Sequence, residues 1–115
     1  MTPELKLKKY IPGGAHTYSR GDDQFPSNAP KILKSGAGYN VFDLNDNKYL
    51  DYGMGLRSVG VGYSEPSINQ AALVGLELGN NLTRPSVIEA EAAELFCSIV
   101  KSCDMVKFCK NGSSA

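Results

Sequence analysis

The chain has 115 residues, the length of one domain or of part of one. Its 12 Lys and Arg residues balance its 12 Asp and Glu residues, so no net charge draws it toward nucleic acid or an anionic membrane. Met1 to Glu4 lead into a charged stretch, and no apolar run is long. We therefore expect neither a signal peptide nor a membrane-spanning helix.

The first part of the chain predicts a short helix, a loop and a small sheet. Leu5 to Lys9 form one or two helical turns, which Ile11-Pro12-Gly13-Gly14 end. The segment from Ala15 to Pro30 shows no periodicity, and loops of this length are usually functional or disordered. Three strands of an antiparallel meander are then expected, with turns at 35–38 and 45–47. They lie at 32–33, 39–43 and 48–52.

A first long helix is predicted after the glycine-rich segment Gly53–Tyr63. Ser64 is expected to cap it, Pro66 lies near its first position and Gly79 ends it. Its apolar residues fall on one stripe, which we expect to be buried. This stripe contains Ile68, Ala72, Leu73 and Leu76.

A second helix is predicted from Ser86 to about Ser102. Glu89 stands three residues after Ser86, which is the spacing of a capping box. The predicted buried face contains Ile88, Ala92, Leu95, Phe96 and Ile99. A buried strand is expected next, at Met105–Cys109.

The last six residues, Lys110–Ala115, resemble a tight turn that opens a helix. Backbone N–H groups at a helix start point outward unpaired, and the helix dipole favours negative charge. Gly112 allows a phosphate to approach the backbone, and Ser113 and Ser114 add hydroxyl donors. The pattern favours an anion site, and a plain turn is the alternative.

Other polar groups carry weaker signals. A lone loop histidine such as His16 is more often solvated than functional, and Tyr18 is equally open. Arg20 suits either a surface position or an anion contact. The three cysteines, Cys97, Cys103 and Cys109, fit no zinc spacing. Packing is their expected role, and free thiols predict a reducing, cytoplasmic compartment.

Two further ligand sites are not expected. Asp43, Asp46 and Asp51 lack the spacing of a calcium loop, so they predict turn chemistry and no metal site. The glycine-rich segment lacks a G-x-G-x-x-G that opens a helix, which argues against a dinucleotide site.

Four segments in series resemble one enzyme family, the class III pyridoxal-phosphate-dependent aminotransferases. They are most similar to its glutamate-1-semialdehyde 2,1-aminomutase branch and to relatives in sugar and surface-polysaccharide pathways. The segments are 10–20, 38–52, 62–66 and 108–115. The resemblance implies an α/β fold, the N-terminal part of a PLP-dependent transferase of fold type I. Residues 1–63 would be an N-terminal arm with the small-domain meander, and residues 64–115 the start of the large domain.

The resemblance also implies site residues. Gly112 and Ser113 would hold the phosphate of pyridoxal 5'-phosphate. Arg20 would bind a substrate carboxylate through its planar fork, with Thr17 nearby. The Schiff-base lysine and the carboxylate that keeps the pyridine nitrogen protonated would lie beyond residue 115. This chain would then supply no catalytic residue and would be inactive alone.

Departures from the family pattern leave the substrate open between glutamate-1-semialdehyde and a keto or aldehydo sugar. Ser114 replaces an acidic residue, and Lys110-Asn111 replace Asn-Ser. Tyr63 replaces a histidine, and Leu56 replaces an aromatic residue over the substrate. The expected partners are a small-molecule amino donor, a carbonyl acceptor and a second copy in a homodimer. The alternative is a small non-catalytic α+β binding module or a degenerate fragment.

Overall fold

The computed structural model describes residues 1–115 as two compact units, Met1–Ala72 and Leu73–Ala115. In the first unit, helix α1 (Pro3–Tyr10) begins where the Thr2 hydroxyl accepts the N–H of Leu5 at 3.4 Å. It ends at Ile11, whose backbone is extended. The predicted short helix is confirmed. Beyond it the loop holds three short 3₁₀ turns, Pro12–Gly14, Tyr18–Arg20 and Asp22–Gln24.

The predicted antiparallel meander is confirmed. Its strands are β1 (Leu33–Ala37), β2 (Asn40–Asp43) and β3 (Lys48–Leu50), in the order β1-β2-β3. The turn predicted at 35–38 is wrong in part, because Ser35 and Gly36 pair with Phe42 and Val41 as members of β1. An irregularity between Leu33 and Ser35 shifts the register there.

A buried carboxylate organises the turn between β2 and β3. Asp43 is 8% exposed, and its Oδ1 accepts the backbone N–H groups of Asn45 at 2.8 Å and Asn47 at 2.9 Å. Its Oδ2 accepts the Asn47 side-chain amide at 2.9 Å and the Tyr49 hydroxyl at 3.0 Å. Asp46 adopts a left-handed φ of 63° in the same turn. The predicted turn chemistry is therefore confirmed here.

Residues close in sequence determine where each of the longer helices begins. A four-residue helical turn, α2 (Met54–Arg57), precedes α3 (Pro66–Glu77). The predicted Ser64 cap is wrong, because the Ser64 hydroxyl donates to the Gly36 carbonyl at 3.1 Å. The Glu65 carboxylate accepts the Ile68 N–H at 2.9 Å instead.

The second long helix, α4 (Val87–Ile99), lies in the second unit and begins with the predicted capping box of Ser86 and Glu89. It ends before Ser102, at Val100, whose backbone is extended and whose N–H bonds to the Phe96 carbonyl at 2.9 Å. Gly79, with a φ of 84°, follows the end of α3 as predicted. None of the helices has the length and apolar character that crossing a bilayer requires.

The predicted burial of the helix stripes is wrong. The large apolar side chains of α3 and α4 are exposed, with Leu76 at 58% and Leu95 at 61%, while Ala92 is half-buried. Val41 is the one buried hydrophobic residue of the chain. The stripes have the expected spacing, but no second layer of this chain covers them.

No strand forms at Met105–Cys109, so this predicted element is wrong for the chain. A strand exists only through hydrogen bonds to a neighbour, and these residues have no backbone–backbone hydrogen bonds. Met105 is 89% exposed. Phe108 packs edge-on against Phe96, with ring centroids 6.4 Å apart. The turn predicted within Lys110–Ala115 is present.

Exposed helix stripes should make the chain associate with itself, since burying apolar area is favourable. We expect the sedimentation coefficient to rise with concentration in analytical ultracentrifugation. Leu76→Gln combined with Leu95→Gln should weaken this dependence, whereas Glu77→Gln combined with Glu94→Gln should preserve it. A concentration-independent monomer for the unmodified chain would contradict the expectation.

Candidate functional site

Tyr63 fastens the glycine-rich segment to the meander. Its N–H donates to the Gly38 carbonyl at 2.7 Å, and the Gly38 N–H donates back to the Tyr63 carbonyl at 2.8 Å. Its hydroxyl donates to Asp51 Oδ2 at 2.5 Å. The side-chain bond thus joins the two ends of the loop from Asp51 to Tyr63, and the backbone pair holds its C-terminal end against Gly38 of the meander.

Two glycines make this fastening possible. A Cβ atom added at Gly36 would lie 2.6 Å from Cγ of the Tyr63 ring, which is too close for any side chain. Gly62 has a φ of 97°, and its added Cβ would lie 3.1 Å from the Gly38 carbonyl oxygen. The Tyr63 ring therefore requires glycine at position 36, and the Gly38 backbone requires it at position 62.

Within the loop, α2 is a left-handed turn. Met54, Gly55, Leu56 and Arg57 have φ values of 45°, 56°, 60° and 71°. Left-handed backbone costs roughly 1–2 kcal/mol for each non-glycine residue. The turn is held by the bond from the Arg57 N–H to the Gly53 carbonyl at 2.9 Å. Such conformations cluster at functional sites, where the surrounding structure holds them in place.

The loop and the meander enclose a cleft of about 400 Å³. Its lining includes the side chains of Tyr39, Leu50, Tyr52, Met54 and Val59 together with the fastening residues. A cavity of this size with an apolar wall and a few polar groups suits a small organic molecule.

The hydrogen bond between Asp51 and Tyr63 shifts the pKa values of both side chains. The Tyr63 hydroxyl bond, helped by the Gly53 N–H at 2.8 Å, lowers the pKa of Asp51 below its ordinary value. The same bond raises the pKa of Tyr63, while the positive charge of Arg20 acts on it in the opposite direction.

Arg20 and Thr17, the predicted substrate residues, lie together in one turn. The Arg20 N–H donates to the Thr17 carbonyl at 3.1 Å. Arg20 forms no ion pair in the chain, although Asp22 nearby pairs with Lys31 at 3.2 Å and Lys8 at 3.5 Å. The Arg20 guanidinium is thus free to bind an anion.

The predicted phosphate residues lie in the second unit and form a turn of their own. Asn111 Oδ1 accepts both the N–H and the hydroxyl of Ser114 at 3.0 Å, which closes the turn. The N–H groups of Gly112 and Ser113 bond to nothing in the chain, and a Cβ at Gly112 would meet nothing within 4 Å. Two adjacent donors therefore face open space, as a phosphate requires. The Ser114 hydroxyl, predicted to be a free donor, is engaged within the turn.

The side chains of His16 and Tyr18, the other polar residues considered from the sequence, make no hydrogen bonds in the chain. His16 makes no hydrogen bond, and Tyr18 is 78% exposed. No group of three or more metal-ligating side chains occurs in the chain.

Comparison with known proteins places these features in context. No family model matches the chain. Glutamate-1-semialdehyde 2,1-aminomutase from Syntrophomonas wolfei is 30% identical over 110 residues, covering 96% of this chain and 25% of that protein. Aminopentol aminotransferase from Sphingopyxis macrogoltabida is 31% identical over 110 residues, covering 96% and 26%. The chain thus spans about a quarter of the length of these relatives.

Solved structures give the same picture. The FumI protein of Sphingopyxis sp. MTA144, solved in its PLP internal aldimine form, matches 98% of this chain and 27% of its own with a TM-score of 0.89 and 30% identity. The resemblance to the aminotransferases is confirmed. An omega-transaminase from Sphaerobacter thermophilus shares the aminotransferase fold at a TM-score of 0.85 and 24% identity, covering 98% of this chain and 25% of its own. The predicted α/β fold class is confirmed with it, and the domain division after residue 63 stays a prediction.

Sequence reasoning missed the bond between Asp51 and Tyr63. The two residues are twelve positions apart, and no local pattern links them. The turn chemistry of Asp43 was predicted, because an Asp two residues before an Asn in a turn is typical of an Asx turn.

Removing the Tyr63 hydroxyl should loosen the fastened loop. We expect Tyr63→Phe to lower the free energy of unfolding by about 1 kcal/mol, because the hydrogen bond to a charged partner is lost at a half-exposed site. Urea denaturation followed by circular dichroism measures this. Tyr52→Phe, at a residue that is 86% exposed and makes no side-chain bond, should change nothing. Equal effects of the two variants would contradict the role of the bond.

The stability of the meander should fall in acid. Hydrogen bonds hold the pKa values of Asp43 and Asp51 below their ordinary value of 3.8. Their contribution to stability is therefore present above about pH 4 and is lost as the pH falls through the lowered values. We expect the urea midpoint to drop between pH 5 and about pH 2.

The control for the loss of stability in acid is the double variant Asp43→Asn with Asp51→Asn. It should be less stable at pH 7 and should depend less on pH in acid, since neither amide titrates. If the urea midpoint of this variant fell in acid as steeply as that of the unmodified chain, other carboxylates would be the cause of the fall.

Proposed function

We propose that this chain is the N-terminal portion of a PLP-dependent aminotransferase or aminomutase that moves an amino group on a small carbonyl substrate. The observation that carries the proposal is the match to aminotransferases in both sequence and fold over nearly the whole chain. The substrate is a glutamate-1-semialdehyde-like compound or a keto or aldehydo sugar. A small-molecule amino donor is the second partner.

The substrate carboxylate or another anionic group binds Arg20, with Thr17 beside it. Arg20 has no competing carboxylate in the chain, and its planar guanidinium can donate two parallel hydrogen bonds to a carboxylate. Met54 and Val59 of the loop supply apolar lining to the cleft, and Leu56 is exposed on the left-handed turn beside Met54. Leu56 is smaller and more flexible than an aromatic side chain, which suits a substrate other than that of the aminomutases.

The cofactor phosphate binds at Gly112 and Ser113. The fit rests on two unpaired N–H groups, the free Ser113 hydroxyl and the open space at the Gly112 Cα. When bound, pyridoxal 5'-phosphate supplies an electron sink for chemistry at the carbon that carries the amino group. The residues of this chain position the phosphate end of the cofactor and bind the substrate.

The Schiff-base lysine lies, in this proposal, beyond residue 115, and the chain alone does not catalyse transamination. Lys101 bonds to the Ser98 carbonyl at 2.6 Å and ends a helix, which is a structural role. The whole enzyme is a homodimer of the cytoplasm, and nucleic acid and membranes are not its partners.

Phosphate binding by the chain tests the cofactor proposal directly. We expect inorganic phosphate and pyridoxal 5'-phosphate to shift the amide resonances of Gly112 and Ser113 in NMR spectra, whereas pyridoxal should not. Ser113→Ala should weaken phosphate binding roughly three- to tenfold, as expected for the loss of one hydrogen bond. Ser102→Ala, at a serine without a hydrogen bond in the chain, is the matched control.

The outcomes separate the alternatives. If phosphate shifts the resonances of Gly112 and Ser113, and Ser113→Ala weakens this binding, the proposed phosphate site is supported. Shifts confined to lysine-rich positions, or equal binding by both serine variants, would contradict it and favour a non-catalytic module. Transamination by the chain itself would overturn the proposed position of the lysine.

A further inference from the structure

Two cysteines of the second unit lie in contact. Cys97 is in the last turn of α4, and Cys103 follows in the turn after that helix. Their sulfur atoms are 3.5 Å apart, and both residues are half-buried. The Cys103 N–H donates to the Val100 carbonyl at 2.9 Å, which turns the chain back toward the helix. The contact is therefore set by the backbone and not by side-chain position alone.

The third cysteine has no such neighbour. Cys109 is exposed, and its sulfur lies 3.5 Å from the Ser114 carbonyl oxygen. Of the three thiols, only Cys97 and Cys103 stand in contact with each other. A disulfide between them requires the sulfur atoms to approach by about 1.5 Å, from 3.5 Å to the usual S–S length of about 2.05 Å.

We propose that Cys97 and Cys103 form a dithiol site that a peroxide oxidises to an intrachain disulfide. In the first step one thiolate attacks a peroxide oxygen, and hydrogen peroxide yields a sulfenic acid and one water. In the second step the other thiol attacks the sulfenic sulfur, the S–S bond forms, and a second water leaves. Two thiols are oxidised and one peroxide is reduced, so the electrons balance.

The geometry assigns the first step to Cys103. The hydrogen bond with Cys103 raises the pKa of Cys97, so the Cys97 thiol keeps its proton more readily. Cys103 also lies outside the helix, in the turn that follows it. Apart from the Cys97 sulfur, its thiol contacts the Met105 carbonyl at 3.2 Å.

The test is oxidation of the chain with equimolar hydrogen peroxide, followed by a count of free thiols in denaturant and by intact mass. We expect the count to fall from three to one, with a mass loss of two hydrogen atoms that dithiothreitol reverses. In Cys109→Ser the count should fall from two to none. Retention of both thiols in Cys109→Ser, or oxidation only to intermolecular dimers, would overturn the proposal.

Two controls test the role of the fold and the order of the steps. Because the cysteines are only six positions apart, oxidation of the same chain in urea measures what sequence proximity alone achieves. The folded chain should form the disulfide roughly tenfold faster, since the thiols are already oriented. Equal rates would show that the fold contributes nothing. With dimedone as the trap, Cys97→Ser should give more sulfenic adduct at Cys103 than Cys103→Ser gives at Cys97, and the reverse ranking would overturn the assignment of the first step.

Discussion

The backbone pair between Gly38 and Tyr63 is the constraint on which the first unit depends. It brings the end of the glycine-rich segment onto the meander, and the Tyr63 hydroxyl then reaches Asp51. With both ends joined, the loop can hold a left-handed turn that an open chain would not populate. The cleft between the loop and the meander follows from that closure. A tyrosine here performs a task that a histidine of the family pattern could share, since both side chains offer a hydrogen-bond donor.

Local signals in the sequence predicted their structures well. The capping box of Ser86 and Glu89, the end of α1 at Ile11 and the turn at Asp43 each depend on residues within four positions of one another. The chain needs no other part of the molecule to form them. The resemblance to the aminotransferases rests on such segments in series, which is why it could be found from the sequence.

Features that depend on distant partners could not be predicted in this way. The apolar pattern of Met105–Cys109 is that of a buried strand, but a strand forms only beside a hydrogen-bonded neighbour. Ser64 has the chemistry of a helix cap, yet a carbonyl of β1 competes for its hydroxyl. At the candidate site, the sequence indicated Gly112 and Ser113, and the structure adds that their N–H groups are unpaired. The Asp51–Tyr63 bond became visible only in three dimensions.

The left-handed turn at Met54–Arg57 has a consequence for the handedness of its side chains. L-residues are strained there because the Cβ atom crowds the following carbonyl, whereas a D-residue places its Cβ on the unhindered side. At Leu56 a D-leucine would keep the apolar side chain while removing the backbone strain. This short stretch is therefore a place where mirror-image stereochemistry suits the fold better than the natural form does.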